Sequence, residues 1–382
     1  MRYRTFGNVK FAPSALGFGC MRLPVLDGDP SKVDEPLAIS MIRYAIDHGV
    51  NYLDTAYNYH RGSSERVLGK ALLDGYRDKV RIATKMPVYA LEKPEDADRC
   101  FGEQLERLGV EKVDFYLLHS LNAHFWQKAK DLRLLEWVDK PLSEGRIGHF
   151  GFSFHDGFSC LKDIIDSYDG WSFCQVQYNY VDVRNQAGIT GLRYAADKGL
   201  GVVIMEPLRG GALAKNIPAP VQRLLDEAGT GRTPADLALQ WLWNQPELSL
   251  VLSGMSSMRE VIENVASAER SGVRTLSPAD AGILEQAGDA FRSLISIPCT
   301  ACGYCMPCPH GLAIPANFDI YNEGKGFDPE RAISEDIRKA YARFPKEWRA
   351  DSCTECGTCE ERCPQGLPIR SLLKRIRSEM QV

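Results

Sequence analysis

The sequence lacks several features, and each absence narrows what the chain can be. No apolar run approaches the length of a membrane-spanning helix, so we expect no membrane partner. The segment from Met1 to Gly7 lacks the apolar core of a secretory signal peptide. We find no low-complexity segment and no flavin-binding fingerprint. The glycine-rich loop of dinucleotide-binding sheets is also incomplete, because Gly17 and Gly19 are not followed by the third glycine of Gly-x-Gly-x-x-Gly.

The bulk composition is ordinary. Hydrophobic residues make up 44% and charged residues 25% of the 382 residues, as in many globular proteins. This length allows one large domain and one small domain. The formal net charge of −4 is not the basic excess that nucleic-acid-binding proteins carry, so we expect no nucleic-acid partner.

Cysteine is plentiful but unevenly spread. Eight of the twelve cysteines lie in two runs: C-x-x-C-x-x-C-x-x-C-P, which begins at Cys299, and C-x-x-C-x-x-C-x-x-x-C-P, which begins at Cys353. Three thiolates spaced in this way can surround three corners of a cubane iron–sulfur cluster, and a fourth before a proline can reach elsewhere. The predicted metal ligands are Cys299, Cys302, Cys305, Cys308, Cys353, Cys356, Cys359 and Cys363.

Two other interpretations fit these cysteines less well. A disulfide framework is typical of small secreted chains. A four-cysteine zinc site usually has two C-x-x-C pairs with a longer spacer between them. Reduced thiols and oxygen-sensitive clusters together favour a cytoplasmic location.

The second run resembles the [4Fe–4S] motif of bacterial ferredoxins, and the first run is one residue shorter. In two-cluster ferredoxins, the fourth cysteine of each run binds the other cluster. The resemblance therefore implies one cluster held by Cys299, Cys302, Cys305 and Cys363, and a second held by Cys353, Cys356, Cys359 and Cys308.

Upstream of the cysteines, short apolar runs alternate with amphipathic segments. The apolar runs resemble buried parallel strands and span Ala15–Cys20, Val50–Asp54, Val80–Lys85, Val113–His119, Gly148–Ser153, Phe173–Gln177, Gly201–Glu206 and Leu248–Ser253. Helical periodicity is found in Glu35–Asp47, Ser64–Leu73, Ala97–Leu108, Leu132–Leu142, Cys160–Ile165, Ile189–Ala196, Pro234–Trp243 and Arg259–Ala268.

Eight strand–helix units in roughly 250 residues predict an α/β fold, a (β/α)8 TIM barrel. A doubly wound open sheet is the alternative, and it would be expected to have the missing glycine-rich loop. A barrel places its chemistry where strands end at the C-terminal face. Asp54, Lys85, His119 and Ser153 end the second to fifth predicted strands, and Tyr59 lies in the loop after the second.

The residues at these strand ends resemble the motifs of the aldo-keto reductase superfamily. The similar segments are D-T-A-Y-N-Y from Asp54 to Tyr59, A-T-K ending at Lys85, V-D-F-Y-L-L-H ending at His119, and the segment ending at Ser153. The resemblance covers about residues 1–290. It implies an NAD(P)-dependent oxidoreductase on a TIM barrel.

The chemistry of such an enzyme explains these residue types. Hydride reduction of a carbonyl places negative charge on its oxygen, so the site needs an acid. A tyrosine, with a pKa of about 10, becomes a better acid beside an ammonium group. The resemblance implies Tyr59 as the general acid, Lys85 and Asp54 as the groups that tune it, and His119 as the carbonyl orienter. Histidine rather than the glutamate of ene-reducing members favours C=O over C=C reduction. The alternative is a structural Asp54–Lys85 ion pair and a buried core histidine.

The resemblance also implies a nicotinamide cofactor, NADP or NAD. Ser153 and Gln175 match the family's carboxamide ligands, and Met205 replaces an aromatic ring that stacks on nicotinamide. Glu260 stands where the family has an arginine that binds the 2′-phosphate of NADP. Arg259 could still bind that phosphate. The sequence therefore leaves both NAD and NADP as possible cofactors. The predicted cofactor-binding residues are Gly19, Met21, Ser153, Gln175, Met205, Pro207, Leu208, Ser253, Gly254, Ser256, Ser257, Arg259, Glu263 and Asn264.

The sequence predicts a barrel domain at residues 1–295 and a small, mainly helical iron–sulfur domain at residues 296–382, linked near Leu294–Pro298. Helical patterns in the second domain include Ser334–Tyr341 and Pro368–Met380. The charge-rich stretch Arg370–Arg377 has apolar residues at helical spacing, which predicts a docked amphipathic helix.

The expected function is reduction of an aldehyde or ketone, or oxidation of the alcohol. Nicotinamide gives two electrons as hydride, whereas clusters move one electron at a time. The clusters could therefore exchange electrons with a redox partner protein, sense redox state, or hold the domain together. The alternative is an electron-transfer protein whose barrel binds a nucleotide or flavin without carbonyl turnover.

Overall fold

The fold is taken from a computed structural model, and it is described for residues 1–215, 217–227, 231–300, 302–325 and 330–380. The chain divides into two compact units. The first unit is Met1–Leu208 with Arg232–Ala281, and the second is Arg209–Gly231 with Gly282–Val382. The domain boundary between residues 295 and 296 stays a prediction.

The first unit contains a closed barrel of eight parallel strands, as predicted. The strands are β1 (Leu16–Gly19), β2 (Tyr52–Asp54), β3 (Arg81–Met86), β4 (Val113–Leu121), β5 (Ile147–Phe154), β6 (Phe173–Gln177), β7 (Gly201–Met205) and β8 (Leu250–Gly254). They follow chain order around the barrel. β1 and β8 close it, with Leu16 opposite Val251 and Gly19 opposite Gly254. A doubly wound open sheet is thereby excluded.

Helices connect the strands. In the first unit they span Glu35–Asp47, Ser63–Ala71, Asp96–Leu108, Ala123–Asp131, Leu134–Trp137, Asp139–Ser143, Phe158–Asp166, Gly188–Asp197, Pro234–Trp243 and Met258–Glu269. Side-chain caps fix several starts, because a capping oxygen satisfies a backbone N–H that has no partner in the helix. Asp34 accepts from the Leu37 N–H, and Thr233 accepts from the Asp236 N–H.

One predicted helix is wrong. The segment Leu132–Leu142 forms two short helices, Leu134–Trp137 and Asp139–Ser143, rather than one. Arg133 has a φ of 54°, a left-handed conformation that no α-helix continues through. A further helix, Ala123–Asp131, precedes this point and was not predicted.

The side chains that face into the barrel change from apolar to polar along the strands. Because side chains alternate between the two faces of a strand, Asp54 points inward like Tyr52, and Lys85 points inward like Ala83. Tyr52 and Ala83 belong to the apolar cluster inside the barrel. His119 follows Leu117 of that cluster in the same way. The inward polar groups therefore gather at the C-terminal ends of the strands.

Phe6 closes the N-terminal end of the barrel. Its ring centroid lies 5.1 Å from that of Phe115 and 5.7 Å from that of Phe173. Gly201 leaves the space for this ring, because a Cβ at residue 201 would lie 2.6 Å from it. Phe6 is fully buried and packs in the cluster inside the barrel.

The second unit is mainly helical in its described residues, as predicted. Its helices are Ala219–Glu227, the part of Pro278–Leu294 from residue 282 onward, Ile314–Lys325, Glu335–Ala342, Thr358–Glu361 and Ile369–Glu379. The last helix buries Ile369, Leu373 and Ile376, which confirms the predicted amphipathic helix. These residues join an apolar core against which six of the eight clustered cysteines pack.

Within the described ranges, no helix combines the length and the apolar character that crossing a membrane requires.

We expect the change Phe6→Ala to lower the free energy of unfolding by about 3–5 kcal/mol, because it opens a cavity among tightly packed rings. Urea denaturation followed by circular dichroism measures this. The control is Tyr3→Ala, at a side chain that is 53% exposed, and it should change the free energy by no more than about 0.5 kcal/mol. Equal effects of the two changes would contradict the role of Phe6 as the barrel plug.

Candidate active site and cysteine sites

Four predicted catalytic residues meet at the C-terminal end of the barrel. Lys85 Nζ lies 2.6 Å from Asp54 Oδ1 and 3.3 Å from the Tyr59 hydroxyl. It also donates to the Thr55 carbonyl at 2.7 Å. The ring centroids of Tyr59 and His119 are 5.9 Å apart. The tetrad is thus one contiguous, buried group.

Burial dominates the electrostatics of the ion pair. It lowers the pKa of Lys85, an effect that the neighbouring Asp54 carboxylate opposes. It raises the pKa of Asp54, which the Lys85 ammonium opposes. A carboxylate and an ammonium 2.6 Å apart stabilise each other's charged form, so the ammonium stays within reach of the Tyr59 hydroxyl.

His119 is neutral in this site. Burial, and then the charge of Lys85, hold the pKa of His119 well below its usual range. A neutral imidazole has one N–H, which can donate to an oxygen without bringing in a second positive charge. The register of β4 against β5 shifts at this residue, between Leu118 and Leu121, and Ser120 has a φ of 57°. Bulges often aim side chains next to active sites.

The loop that carries Tyr59 is held by a residue that the sequence did not reveal. His60 accepts a hydrogen bond from the Leu23 N–H at 3.1 Å, and its other ring nitrogen lies 2.9 Å from the Pro30 carbonyl oxygen. His60 has a φ of 50°, a conformation rare for residues other than glycine. This histidine ties the loop after β2 to the loop after β1, and only the folded chain brings the two together.

A buried polar network behind β3 was also missed. Glu65 is fully buried; it accepts from Gln104 Nε2 at 2.8 Å and pairs with Arg107 at 3.2 Å. Gln104 also donates to the Lys85 carbonyl at 3.0 Å, and Arg107 donates to the Tyr57 carbonyl at 3.2 Å. The network therefore fixes the backbone of Lys85 and that of Tyr57, which lies two residues before Tyr59.

The predicted carboxamide ligands lie on neighbouring strands. Ser153 and Gln175 are directly opposite each other in the β5–β6 pair. The Ser153 hydroxyl accepts from the Ser120 N–H at 2.7 Å, and Gln175 Nε2 lies 3.6 Å from the Met205 sulfur. Gln175 Oε1 is buried without a hydrogen-bond partner among the described residues. A buried acceptor without a partner is costly, and an amide N–H of a nicotinamide carboxamide would satisfy it. The residues present fit that group.

The other predicted cofactor residues fall into two groups. The first lies where β1 meets β8, where Gly19 and Gly254 are opposite each other and Asn264 donates to the Ser253 hydroxyl at 3.1 Å. A Cβ on Gly254 would lie 3.1 Å from the Arg22 side chain, so this glycine leaves room for a close approach. Met21 lies in the turn after β1, and Pro207 and Leu208 follow β7.

The second group forms the start of the helix Met258–Glu269. Ser257 caps this helix by accepting from the Glu260 N–H. The Glu260 carboxylate accepts from the Ser256 N–H at 2.8 Å and lies 3.3 Å from its hydroxyl. Arg259 is paired with Glu263 at 2.7 Å and is largely exposed. The donors of Ser256 at the start of this helix could bind a phosphate, but the Glu260 carboxylate already accepts from them.

In the second unit, the four cysteines of the first group that the ferredoxin resemblance implied lie together. Cys299, Cys302, Cys305 and Cys363 line one cavity. Burial, followed by the other three thiols, raises the pKa of Cys305.

The second run shows a similar association. The pKa of Cys359 is raised to about 11, first by burial, with smaller effects from Cys353 and Cys356. Cys308 packs against the same apolar core, and its place as the fourth ligand stays a prediction.

Four cysteines around one cavity suit a cluster better than a single ion. Within the described part of the chain, no three Cys, His, Asp or Glu side chains converge on a single-ion site. In a cubane, each thiolate binds a different iron, so the thiolates need not converge on one point. The chemistry of the donors and the position of four of them around one cavity therefore fit a [4Fe–4S] cluster.

Comparison with known proteins finds two family matches along the chain. Residues 15–286 match the aldo/keto reductase family. The chain belongs to the aldo/keto reductase family. Residues 298–367 match the 4Fe–4S dicluster domain, so this family member carries a C-terminal iron–sulfur domain.

Individual family members agree with this assignment. The chain is 31% identical over 284 residues to L-galactose dehydrogenase of Arabidopsis thaliana, a match that covers 69% of this chain and 86% of that protein. It is 25% identical over 339 residues to the NADH-specific methylglyoxal reductase of Escherichia coli K12, covering 76% of this chain and 100% of that protein.

Solved structures of the family show the same barrel. An aldo-keto reductase of Bacillus halodurans in its holo form is 25% identical, with a TM-score of 0.62, and the match covers 75% of this chain and 96% of that one. An aldo-keto reductase of Klebsiella pneumoniae in complex with NADPH is also 25% identical, with a TM-score of 0.62, covering 75% of this chain and 95% of that one. The chain is accordingly an NAD(P)-dependent oxidoreductase.

We expect the change Lys85→Met to lower the free energy of unfolding by about 3 kcal/mol or more, because it leaves the buried Asp54 carboxylate without its counter-ion. The double change Asp54→Asn with Lys85→Met should recover most of this loss. Urea denaturation of the single and double variants gives the coupling energy. Lys70→Met, which breaks the exposed pair with Glu35, is the control and should cost less than about 1 kcal/mol. A single-variant loss as small as the control's would contradict a charged buried pair.

Proposed function

We propose that the barrel reduces an aldehyde or ketone with Tyr59 as the general acid. The observation that carries this proposal is the approach of Lys85 Nζ to the Tyr59 hydroxyl, 3.3 Å, while Asp54 holds the lysine at 2.6 Å. Nicotinamide, when bound, would supply the hydride for the carbonyl carbon, so that negative charge would develop on the carbonyl oxygen. The Tyr59 hydroxyl donates its proton to that oxygen, and the Lys85 ammonium stabilises the tyrosinate that remains.

His119 supplies the second contact to the carbonyl oxygen in this proposal. Its neutral imidazole can donate one hydrogen bond, which orients the carbonyl and stabilises the developing charge. A protonated histidine would compete with Tyr59 as the proton donor, and the lowered pKa of His119 opposes this. Ser153 and Gln175 would hold the carboxamide of the nicotinamide, and Met205 would pack beside its ring. The reverse reaction, alcohol oxidation, uses the same groups.

We propose that this barrel prefers NADH to NADPH. Glu260 places a carboxylate on the Ser256 donors at the start of the helix, where the family resemblance puts the 2′-phosphate. The one arginine nearby in the sequence, Arg259, is already paired with Glu263. A relative of this chain is named as NADH-specific, whereas a solved neighbour holds NADPH, so the comparisons admit either cofactor.

For the second unit we propose two [4Fe–4S] clusters, held by Cys299, Cys302, Cys305 and Cys363, and by Cys353, Cys356, Cys359 and Cys308. The cavity shared by the first four cysteines supports this pairing across the runs. Because clusters move single electrons, they suit exchange with a redox partner protein. Clusters and reduced thiols both favour a cytoplasmic location.

We expect Tyr59→Phe to lower kcat for aldehyde reduction by at least about 100-fold, because the proton donor is lost. The readouts are NADH oxidation with a panel of aldehydes and the cluster absorbance, which should stay unchanged. Tyr57→Phe is the matched control, because its hydroxyl lies on the same loop but donates to Glu103 at 2.7 Å. If wild-type protein with intact clusters reduces no aldehyde, the reductase proposal is wrong and the electron-transfer alternative is favoured.

We expect Glu260→Gln to raise the ratio of kcat/KM for NADPH to that for NADH by about tenfold, since it removes a negative charge near the bound phosphate and tenfold corresponds to about 1.4 kcal/mol. The control is Glu269→Gln at the far end of the same helix, where the carboxylate faces the N-terminal amine at 3.7 Å. An unchanged ratio in Glu260→Gln would contradict the proposed role of this carboxylate.

A further inference from the structure

The two cysteine runs share one local sequence but have different surroundings. Both begin Cys-Thr-x-Cys-Gly-x-Cys, from Cys299 and from Cys353. The remaining residues around the cavity of the first group are Thr300, Gly303, Pro315, Phe318, Pro364, Gln365, Leu367 and Ile369. None of these described lining residues is charged, and Phe318, Leu367 and Ile369 are buried. The cavity of the first group therefore has a mostly apolar lining without charged side chains, although its four cysteines are only partly buried.

One cysteine of the second group lies at the surface of its unit. Among the eight clustered cysteines, all within the described ranges, only Cys356 is exposed. The Thr358 hydroxyl oxygen lies 3.6 Å from the Cys356 sulfur. Since a metal-bound thiolate has no hydrogen, Thr358 would be the donor in the loaded protein. The equivalent residue of the first run is Tyr304.

Backbone donors do not distinguish the two groups. Backbone N–H groups of residues 365–367 contact the Cys363 sulfur. The backbone N–H group of Thr358 contacts the Cys356 sulfur. The exposure of Cys356 does distinguish the groups, and Thr358 places a side-chain hydroxyl beside this exposed cysteine.

One face of the last helix lies along the second run. Arg370, Lys374 and Arg377 follow one another at intervals of four and three residues, so they share a face of the helix Ile369–Glu379. Lys374 pairs with Glu355 at 2.7 Å, directly before Cys356 in the chain. The other two pair with Glu360 at 2.7 Å and with Asp351 at 3.6 Å. Three carboxylates around the second run are thus compensated by cations.

These surroundings affect how easily each group's cluster accepts an electron. Reduction adds one negative charge, which water and hydrogen-bond donors stabilise and which uncompensated carboxylates and apolar burial disfavour. Given the two-cluster assignment proposed above, we propose that Thr358 and Lys374 help to raise the reduction potential of the cluster bound by Cys356 above that of the cluster bound by Cys299. The cluster nearer the surface is then the first to be reduced.

An anaerobic redox titration of the full-length, cluster-loaded protein tests this, with electron paramagnetic resonance as the readout and dithionite as the reductant. Thr358→Val should weaken the electron affinity of the higher-potential cluster by up to about tenfold, a shift of about 59 mV to more negative potential for one electron. Lys374→Met should shift the same potential in the same direction, because it leaves Glu355 uncompensated. The lower potential should not change in either variant.

Two controls separate tuning from damage. Thr358→Ser keeps the hydroxyl and should keep the wild-type potential. Lys339→Met removes a cation from the pair with Glu335 on another helix of the same unit, 2.8 Å apart, and should leave both potentials unchanged.

Each outcome bears on a different proposal. Fewer than eight irons per chain in the wild-type protein would contradict the two-cluster assignment, and this inference with it. With eight irons bound, two equal potentials, or a shift of the lower potential in Thr358→Val, would overturn this inference alone.

Discussion

The ion pair between Lys85 and Asp54 is the constraint on which the rest of the candidate active site depends. A fully buried ammonium is stable only beside a compensating carboxylate, and here the two atoms are 2.6 Å apart. That distance requires β2 and β3 to be neighbours in parallel register, with Asp54 opposite Ala83. A closed barrel supplies this register and excludes water from one side of the pair. The lysine is thereby held where it can act on the Tyr59 hydroxyl.

The residues around the ion pair also help to hold Lys85 and Tyr59 in position. The inward-facing side chains are apolar from the Phe6 plug through the middle of the barrel, which gives the ion pair a dry support. Behind β3, the buried Glu65 network fixes the backbone at Lys85 through Gln104. In front, His60 joins two loops and fixes the position of the neighbouring Tyr59. Polar groups that do no chemistry themselves therefore keep the reacting groups in place.

In the second unit, burial and exposure affect cysteines rather than an ion pair. In the barrel, burial makes each charge of the ion pair depend on the other. In the second unit, one cysteine group lines a mostly apolar cavity, whereas the other includes the exposed Cys356. A two-electron hydride donor and one-electron clusters in one chain need a means of ordering single electrons. Unequal cysteine environments, tuned by Thr358 and Lys374, would supply such an order within the second unit.

The sequence by itself predicted the barrel and the four residues that meet at its end, and it implied a cysteine grouping through the ferredoxin resemblance, because each depends on patterns that are local or regularly spaced. A polar residue directly follows the apolar run of a strand in the sequence, as in the segment that ends at His119. The cysteines of each run follow one another at fixed intervals. Only the tertiary structure decided that His60 contacts Leu23 and that Glu65 lies beneath Lys85, since these contacts join distant segments. It also decided that Leu132–Leu142 is not one helix, and that Cys356 is exposed while Cys299 lines a mostly apolar cavity. Burial and the partners of a charge are properties of the packed chain, and no local pattern encodes them.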